Sequence, residues 1–448
     1  MRILDTTRQT MKNPAFALVL TLAVSGVLTG CGTGAGIVSG PTPMSGVALQ
    51  GKVMGGQQPI NGTTIQLYGA GVTGYGSAAS PLVSAVVKTG ADGSFSIAGD
   101  YTCTSGAQLV YLTATQGDAG SGNNANLALM AALGPCSGLA SISFVNLNEV
   151  TTVGSVWALS PFMTGLAHIG TSATNITGLT NAFADVNTLV NIATGTAPGP
   201  SLPTGTTVPS SEIYTLANIL AACINTNGGV AGTPTTNCGK LFSDVNPGTG
   251  SAPTDTVAAA MDIAQHPGSN VAALYAIPPA IGAAFPSGLS SQPNDFTVAV
   301  NFTAGSVVSA PVVLAADASG NIWIANSVVT GVTKLSHSGA PVAGSPFAAS
   351  LSGAGAIAID ASGGPWIVNK IGNSVSRLTS SGSVVSGSPY NTAGYFSAPT
   401  GISFDTTGRA WVSNSGNNSV TVLNTSGVGF NYTPSGLTTP VGLAVSSH

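Results

Sequence analysis

Three tryptophans at one repeated position constrain the fold of this chain more than any other feature of its sequence. They lie 43 and 45 residues apart, and each follows an aspartate by six residues and precedes an asparagine by three. The nine residues of the pattern are Asp317, Trp323 and Asn326, then Asp360, Trp366 and Asn369, then Asp405, Trp411 and Asn414. Three residue types that recur in register indicate an internal repeat. The C-terminal part of the chain is therefore expected to be an array of one structural unit.

The repeated unit has the length and pattern of a β-propeller blade. A period of about 40 to 50 residues with four short strands gives a unit that cannot cover its own hydrophobic faces, so copies must stack. Each unit has an Asp-x-x-Gly turn that leads into a strand ending Trp-[Val/Ile]-x-Asn. This template resembles the NHL and virginiamycin B lyase-like propeller repeats. We expect a partial propeller of about three blades over residues 293–448, with the tryptophans packed between blades.

The resemblance also implies a lyase reaction, but the repeat region has few of the side chains that this reaction uses. Lyase members of that family use histidine and acidic side chains around a central metal. The repeat region here has no glutamate, and its histidines are His337, in a predicted inter-strand turn, and the terminal His448. We therefore expect no catalytic residue, no bound metal and no cofactor, and a lyase-like enzyme is the alternative.

The last residues of the chain begin the repeat pattern again but do not complete it. Pro440–Val445 match the residues Pro399–Phe404 that open the previous unit, but no Asp-x-x-Gly turn follows. The segment Asp295–Phe302 has the pattern of an outer strand that would close a ring. We expect an open arc with unpaired edge strands and a partly exposed face near Trp411, and such an edge invites self-association. A truncated reading frame and closure by oligomerisation are the two explanations.

The N-terminus has the layout of a secretory signal. Arg2, Arg8 and Lys12 precede an apolar run at 15–28, which is shorter than the roughly 20 residues of a membrane span. The run ends at Leu28-Thr29-Gly30-Cys31, which resembles the bacterial lipobox. That resemblance implies a signal peptide at 1–30, a lipid on Cys31 that attaches the protein to a membrane, and a flexible tether at 31–44. The alternative is a signal peptide followed by a chance cysteine.

The other four cysteines form an even set, and an exported protein favours disulfides. Three pairings are open from sequence. Two of the possible bonds are favoured because both of their cysteines lie within one compositional segment. These bonds are Cys103 with Cys136 and Cys223 with Cys238. A zinc site is disfavoured because no CxxC pair occurs.

Residues 45–146 have short strands of alternating apolar residues separated by glycine-rich turns, which predicts a β-sandwich. The segment resembles the carboxypeptidase regulatory-like, transthyretin-type domain. The residues that carry the resemblance are Gly51, Val53, Pro59, Ile60 and Gly62, then Thr89, Asp92, Gly93 and Phe95. Domains of this type are accessory modules, so no chemistry is implied.

Residues 147–290 change to a helical period, with apolar residues near i, i+3, i+4 and i+7. We expect about five helices in a small all-α domain. Ser210 and Thr254 are the predicted capping residues, and Cys238 is placed in a loop. The only glutamates, Glu149 and Glu212, fall in first turns, where unsatisfied amides stabilise a negative charge. The expected fold class is multidomain and mainly β: a sandwich, a helical domain and a partial propeller.

Composition and motifs exclude several functions. Only 5% of the 448 residues are charged and the formal net charge is -4, so no basic surface exists to hold a phosphate backbone, and nucleic acid is excluded as a partner. The one GxGxxG, at Gly69, Gly71 and Gly74, precedes no predicted helix. The best remaining function is an exported, lipid-anchored binding or scaffold protein of the bacterial cell envelope. Its expected ligand is a protein or a carbohydrate, and a purely structural or adhesive surface protein is a further alternative.

Overall fold

The computed structural model describes residues 41–245, 250–277, 283–327, 331–391 and 394–445. The predicted signal peptide, Cys31, most of the tether and His448 lie outside the described residues. Residues 41–448 group into one compact unit. Within the described ranges, no helix is long and apolar enough to cross a membrane.

The first part of the chain forms two main sheets. Their strands, with a short β1–β8 pair beside them, are β1 Met44–Ser45, β2 Leu49–Gly55, β3 Gln58–Pro59, β4 Thr64–Gly69, β5 Ser80–Pro81, β6 Val87–Lys88, β7 Ser94–Ile97, β8 Thr102–Cys103, β9 Leu109–Thr115, β10 Ala128–Pro135 and β11 Val145–Leu147. One sheet has the order β10-β9-β4-β5, with β6 also on β4, and the other has β11-β2-β3, with β7 also on β2. All pairs are antiparallel except β11 with β2. Strands β2 and β4 alternate buried positions with less buried ones, as expected of strands with one face on a core.

Six α-helices follow in the described residues, together with three short strands. They are α1 Glu149–Leu159, β12 Met163–Gly165, β13 His168–Ile169, α2 Ile176–Leu189, β14 Thr206–Thr207, α3 Ser210–Ile224, α4 Asn237–Asp244, α5 Thr256–Gln265 and α6 Val271–Tyr275. Helix α4 was not expected, because its apolar residues Cys238, Leu241 and Phe242 span only about one turn. It also contains Cys238, so the prediction that this cysteine lies in a loop is wrong.

The helix caps differ from the predicted ones. Helix α5 is capped by Asp255, whose carboxylate accepts hydrogen bonds from Val257 N at 3.0 Å and Ala258 N at 2.9 Å, so Thr254 is one residue too early. Ser210 is already the first residue of α3, after Pro209. Proline suits a helix start because the first-turn N–H that it lacks would be unsatisfied in any case.

The segments predicted as a sandwich and as a helical domain share one hydrophobic core, which runs from Leu49 to Phe296. The helices complete the sheet at its edge. Thr152 Oγ1 and Ser155 Oγ of α1 accept hydrogen bonds, each of 3.0 Å, from Met130 N and Ala132 N of β10. These hydroxyl groups thus accept hydrogen bonds from the N–H groups of an edge strand that would otherwise be open to pairing with another strand.

Both predicted cysteine pairs are at disulfide distance. The Cα atoms of Cys103 and Cys136 are 6.5 Å apart, and those of Cys223 and Cys238 are 4.4 Å apart. The first bond joins β8 to the turn after β10, and the second joins the end of α3 to the first turn of α4. Disulfides of this kind indicate an oxidising compartment.

The last part of the chain forms three antiparallel sheets, here named blades 1, 2 and 3. After β15 Asn301–Phe302, blade 1 contains β16 Pro311–Ala316, β17 Ile322–Asn326, β18 Gly331–Leu335 and β19 Phe347–Ala348; blade 2 contains β20 Ala354–Ile359, β21 Pro365–Asn369 and β22 Ser374–Arg377; blade 3 contains β23 Pro399–Phe404, β24 Ala410–Asn414, β25 Ser419–Leu423 and β26 Gly429–Tyr432. A bridge from Val375 to Tyr390 holds the fourth position of blade 2. The first strands β16, β20 and β23 pack side by side, which makes them the inner strands of a propeller-like arc. The described residues contain no further sheet after blade 3.

The segment Asp295–Phe302 finds a partner that the sequence did not indicate. Only Asn301 and Phe302 are in a strand, β15, and this strand pairs with β14 between α2 and α3. Phe296 is buried in the first core instead, where its carbonyl accepts a hydrogen bond of 3.0 Å from Trp157 Nε1. The expectation that this whole segment is an outer strand without partner strands is therefore wrong.

Candidate functional site

The repeated aspartates fix the turn between the first two strands of each blade. In blade 2, Asp360 Oδ1 accepts hydrogen bonds from Ser362 N at 2.9 Å and Gly364 N at 3.0 Å. Its other oxygen accepts from Trp366 Nε1 at 2.9 Å. Asp317 and Asp405 bond their own turns and tryptophans in the same way, with Trp Nε1 distances of 3.2 Å and 2.9 Å. These aspartates therefore hold the tryptophans in place.

Hydrogen bonding keeps the three aspartates ionised. Burial raises the pKa of Asp317 and Asp360, but the hydrogen bonds from their turns and tryptophans outweigh burial, and the net pKa is lowered in both. The pKa of Asp405 is lowered chiefly by its hydrogen bonds with Thr407 and Trp411. A carboxylate held so firmly in its charged form is unsuited to act as a general acid near neutral pH.

The repeated asparagines tie the second strand of each blade to the third. Asn369 Nδ2 donates to Ser374 Oγ at 3.0 Å and to Ser376 Oγ at 2.9 Å, and its Oδ1 accepts from Ser352 N at 3.1 Å. Asn326 and Asn414 make the corresponding Nδ2 contacts with their own third strands. All nine repeat residues thus have contacts that stabilise the blades.

Sequence reasoning missed a cation that pairs with the tryptophan across neighbouring strands in blades 1 and 2. Lys334 and Arg377 each lie eleven residues after the tryptophan and pair with it across the strands. Arg377 Nη2 is 2.8 Å from Asp360 Oδ2, and its guanidinium lies 4.9 Å from the ring centroid of Trp366. Lys334 Nζ lies 3.3 Å from Asp317 Oδ2 and 4.6 Å from the centroid of Trp323. The constant spacing was the signal that could have found them.

The same cations join each blade to the next. Lys334 Nζ donates to the Ser380 carbonyl of blade 2 at 3.0 Å, and Arg377 Nη1 donates to the Thr425 carbonyl of blade 3 at 2.5 Å. At the corresponding position of blade 3 stands Val422. Blade 3 therefore lacks the cation that would reach a following blade, and its outward face is more apolar.

That outward face of blade 3 is an apolar surface at the end of the arc. Trp323 and Trp366 are fully buried, but Trp411 is only partly buried, and its ring stacks on that of Tyr432 at 6.3 Å between centroids. Tyr432 is 47% exposed. A cavity of about 560 Å³ opens here, and its lining residues, which we name the blade 3 face, are Trp411, Val420, Tyr432, Pro434, Leu443, Ala444 and Val445.

In the part of the chain that the structure describes, titratable groups do not gather into a catalytic cluster. Among the residues that the structure describes, no group of three or more His, Cys, Asp or Glu is placed to hold a metal ion. His337 lies in the turn after β18, and its Nδ1 is 3.9 Å from Asp185 Oδ1 of α2. Burial raises the pKa of Asp185 to about 6, although the His337 ring opposes the rise.

Glu149 occupies the predicted first turn of α1 but has a different role there. Its carboxylate is fully buried, and both oxygens lie 2.9 Å from Gly56 N, the amide of the turn between β2 and β3. Burial raises its pKa to about 7, against the hydrogen bond from Gly56. Glu149 thus joins the helix to the sheet.

The chain contains an arc of propeller blades. Its three adjacent antiparallel sheets have packed inner strands, and each sheet has the same Asp–Trp–Asn network. No family model matches the sequence, and no curated protein matches it. Solved structures similar to part of the chain include a streptogramin B lyase (17% identity, TM-score 0.27), over 30% of this chain and 44% of that one. Virginiamycin B lyase from Staphylococcus aureus is similar over 30% of this chain and 45% of its own, at 19% identity and TM-score 0.27. Hydrazine synthase from Kuenenia stuttgartiensis is similar over 30% and 38%, at 20% identity and TM-score 0.25. The chain spans less than half the length of each of these structures.

Proposed function

We propose that this chain is an exported, lipid-anchored binding or scaffold protein of the bacterial cell envelope, and that the blade 3 face is its binding surface. One observation carries the proposal. The two other tryptophans of the repeat are buried between blades, whereas Trp411 and Tyr432 form an apolar face beside a cavity. An open apolar face on a protein with few charges is typical of an interaction site.

A polypeptide is the ligand that this face favours over a carbohydrate. The face is lined by apolar side chains, and the segment Pro440–Val445 at its margin is in no strand of the described structure. A segment outside any sheet leaves backbone groups to which a strand of a partner can be added. Carbohydrate binding would instead need polar groups around the aromatic rings.

Export and anchoring are supported by separate features. The two disulfides favour an oxidising compartment. The lipobox-like sequence Leu28–Cys31 supplies the attachment point. We expect that Cys31→Ala moves the protein from the membrane fraction to the soluble fraction, while the neighbouring Gly32→Ala variant stays at the membrane. An unmodified Cys31 peptide from a soluble mature protein, found by mass spectrometry, would exclude the anchor.

The proposed binding surface can be tested by comparing how readily a reagent reaches it in the purified protein and in intact envelopes. A maleimide should label Tyr432→Cys in the purified, dilute protein but not in intact envelopes, because a bound partner covers the face there. Tyr75→Cys is the matched control, since Tyr75 is also an exposed tyrosine and lies far from the blades in sequence. Equal labelling of Tyr432→Cys in both preparations would show that the face binds nothing in the envelope.

A further inference from the structure

A second cavity opens at the first core, between the turn from β2 to β3, strand β11, helix α3 and the segment 284–287. Its volume is about 370 Å³, within the range of about 300 to 1,000 Å³ that small-molecule sites occupy. Its base is buried, because Asn148 and Phe285 are almost inaccessible to solvent, whereas Gln57 and Thr196 at its rim are exposed. We name this space the core cavity, and a small molecule can enter it from solvent.

Two aromatic rings line the core cavity, and the protein holds both of them in place. Tyr214 of α3 and Phe285 stack at 5.9 Å between ring centroids, with 16° between their planes. Tyr214 Oη donates a hydrogen bond to the Ala197 carbonyl at 2.8 Å. Asn218, one turn later on α3, bonds the N–H of Phe285 at 3.0 Å and its carbonyl at 2.8 Å. Because the rings are fixed before a ligand arrives, little conformational entropy is lost when one binds.

The polar side chains around these rings are mainly hydrogen-bond acceptors. Asn146 Nδ2 and Gln57 Nε2 each donate to a backbone carbonyl, at 2.5 Å and 3.1 Å. Within the described part of the chain, no hydrogen bond goes to the amide oxygen of either side chain. The hydroxyl groups of Thr194 and Thr196 bond each other at 2.7 Å, and each keeps lone pairs that can accept a further hydrogen bond. A ligand with several O–H donors therefore matches the core cavity.

The charges around the core cavity disfavour an ionic ligand. Among the described residues that line it, none is charged. Helix α1 begins at its base, but Asn148 Oδ1 already accepts a hydrogen bond of 2.9 Å from Thr151 N, so this first-turn amide is not free for an anion. Behind the wall, the buried Glu149 carboxylate lies 2.9 Å from Gly56 N and would repel an anion. Because that carboxylate is fully buried, it cannot pair with an amine in the cavity.

We propose that the core cavity is a binding site for a neutral carbohydrate. A sugar ring has C–H groups on its faces, which pack on aromatic rings, and hydroxyl groups around its edge, which donate hydrogen bonds. The cavity offers both partners, which are the rings of Tyr214 and Phe285 and the amide oxygens of Asn146 and Gln57. The blade 3 face has aromatic rings without this set of acceptors. The carbohydrate site therefore goes beyond the proposed function and does not depend on it.

The experiment uses the full chain, solubilised in a detergent without a sugar head group, on an array of glycans. Neutral mono- and oligosaccharides are the probes, glycans with uronic or sialic acids are the anionic controls, and glucosamine oligomers are the cationic controls. At least one neutral probe should bind saturably, and charged glycans of the same size should not. Calorimetric titration of the neutral probe that binds best then gives the reference affinity.

A variant at the rim tests whether this sugar occupies the core cavity. Thr196→Trp places an indole in the opening and should weaken binding of the neutral probe by about tenfold or more, while the midpoint of urea unfolding stays unchanged because Thr196 is exposed. Thr174→Trp is the matched control. Thr174 is also an exposed threonine whose hydroxyl contacts a hydroxyl group two residues earlier, and it does not line the cavity. Its affinity should equal that of the wild type.

A second variant removes one acceptor without filling the opening. Gln57→Leu keeps the approximate size of the side chain and should weaken binding by about fivefold, the effect of losing one neutral hydrogen bond. Gln58→Leu is its control, because Gln58 is the next residue, is also exposed and does not line the cavity. The neutral probe should raise the melting temperature of Gln58→Leu as much as that of the wild type, and that of Gln57→Leu by less.

Three results would each overturn the carbohydrate site: no saturable binding of any neutral probe, tighter binding of a charged glycan, or an unchanged affinity in Thr196→Trp. The proposed function is judged by a different measurement, the labelling of Tyr432→Cys in envelopes. Protection of Tyr432→Cys without sugar binding would reject only the carbohydrate site. Sugar binding without that protection would reject only the blade 3 face as a binding surface.

Discussion

The residue that organises each blade is the aspartate before the tryptophan, because it holds the turn, the indole N–H and a cation at once. The sequence predicted the aspartates, tryptophans and asparagines because they recur in register. It did not predict the cation that pairs with the tryptophan across the strands, which is Lys334 in blade 1 and Arg377 in blade 2, whereas Val422 lies at that position in blade 3. A contact that changes residue type with each repeat cannot be recognised from a template of identical residues.

Arg377→Met should destabilise the blades by about 3 kcal/mol, because it leaves the nearly buried Asp360 carboxylate without its partner and removes the bond to the Thr425 carbonyl. Urea unfolding followed by tryptophan fluorescence measures this, since three of the four tryptophans lie in the blades. Arg409→Met is the matched control. Arg409 pairs with Asp405 on the solvent side and reaches no other blade, so its loss should be much smaller. Equal losses in the two variants would contradict a role between blades.

Glu149 makes stability depend on pH in an unusual direction. Its pKa is about 7 in the folded chain and about 4.5 in the unfolded one, so the folded state binds the extra proton and stability falls as pH rises between these values. Glu149→Gln keeps an acceptor for Gly56 N and removes the charge. The variant should gain about 3 kcal/mol over the wild type at pH 8, at about 1.4 kcal/mol per pH unit, and nothing at pH 4.

The measurement for Glu149 is the difference in the free energy of unfolding between variant and wild type across pH 4 to 8. Other carboxylates with raised pKa, such as Asp185, titrate in both proteins and cancel in that difference. Asp92→Asn is the control, because hydrogen bonds with Ser94 lower the pKa of the Asp92 carboxylate, so its difference from the wild type should stay constant between pH 5 and pH 8. A difference that does not change with pH would show that Glu149 is charged in the folded protein.

At the scale of elements, the sequence predicted helices and strands where a period ran long enough. Five of the six described helices follow from apolar spacing, while the apolar residues of α4 span only about one turn. Strand β14 has only two residues and pairs with a strand about one hundred positions away. No local pattern can indicate such a pairing, because it exists only once the core has brought both segments together.

Two turn glycines of the blades allow the cost of backbone strain to be measured separately from the cost of steric crowding. Gly382 and Gly408 have φ of +90° and +80°, but only Gly382 lies against a ring, that of Phe347 in the previous blade. Gly408→Ala should cost about 1 kcal/mol from strain alone. Gly382→Ala should cost about 2 kcal/mol more, because the added methyl meets that ring. Thermal unfolding of the two variants decides it, and equal losses would contradict the contact between blades.

Both disulfides should stabilise the first core, and the one that closes the longer loop should contribute more to the free energy of unfolding. Replacing Cys223 and Cys238 together by alanine opens a loop of 15 residues and should cost about 3 kcal/mol. Replacing Cys103 and Cys136 opens 33 residues and should cost about 0.7 kcal/mol more if loop entropy dominates. Chemical unfolding monitored by circular dichroism compares the two variants. The opposite order would show that local packing outweighs loop closure.

At the scale of the whole molecule, repeats and periodicity predicted a mainly β chain, but they could not show which segments share a core. The change of period near residue 147 predicted a boundary between strands and helices, and the secondary structure does change there. The packing does not, because hydroxyl groups of α1 and α5 bond the edge of β10. Periodicity reports local structure, whereas a shared core depends on surfaces far apart in sequence.

A protease of low specificity should cut first near residues 290–292, which are exposed between the two parts of the chain. The two fragments should remain together under native conditions, because Phe296 stays in the first core and β15 stays paired with β14. Size-exclusion chromatography after cleavage measures this. Phe296→Ala should let the fragments separate more readily. A first cut inside 300–340 would contradict the arrangement.

The shared core also limits how this gene can be recombined. A crossover at residue 147 would divide β10 from the helix that satisfies Met130 N and Ala132 N, and each product would inherit half of a hydrophobic interior. A crossover between residues 303 and 310 would instead leave Phe296 in the first core and β15 paired with β14. The strands of the first part and the helices that follow must therefore be inherited together, whereas the blades are the part that can lengthen or shorten by whole repeats.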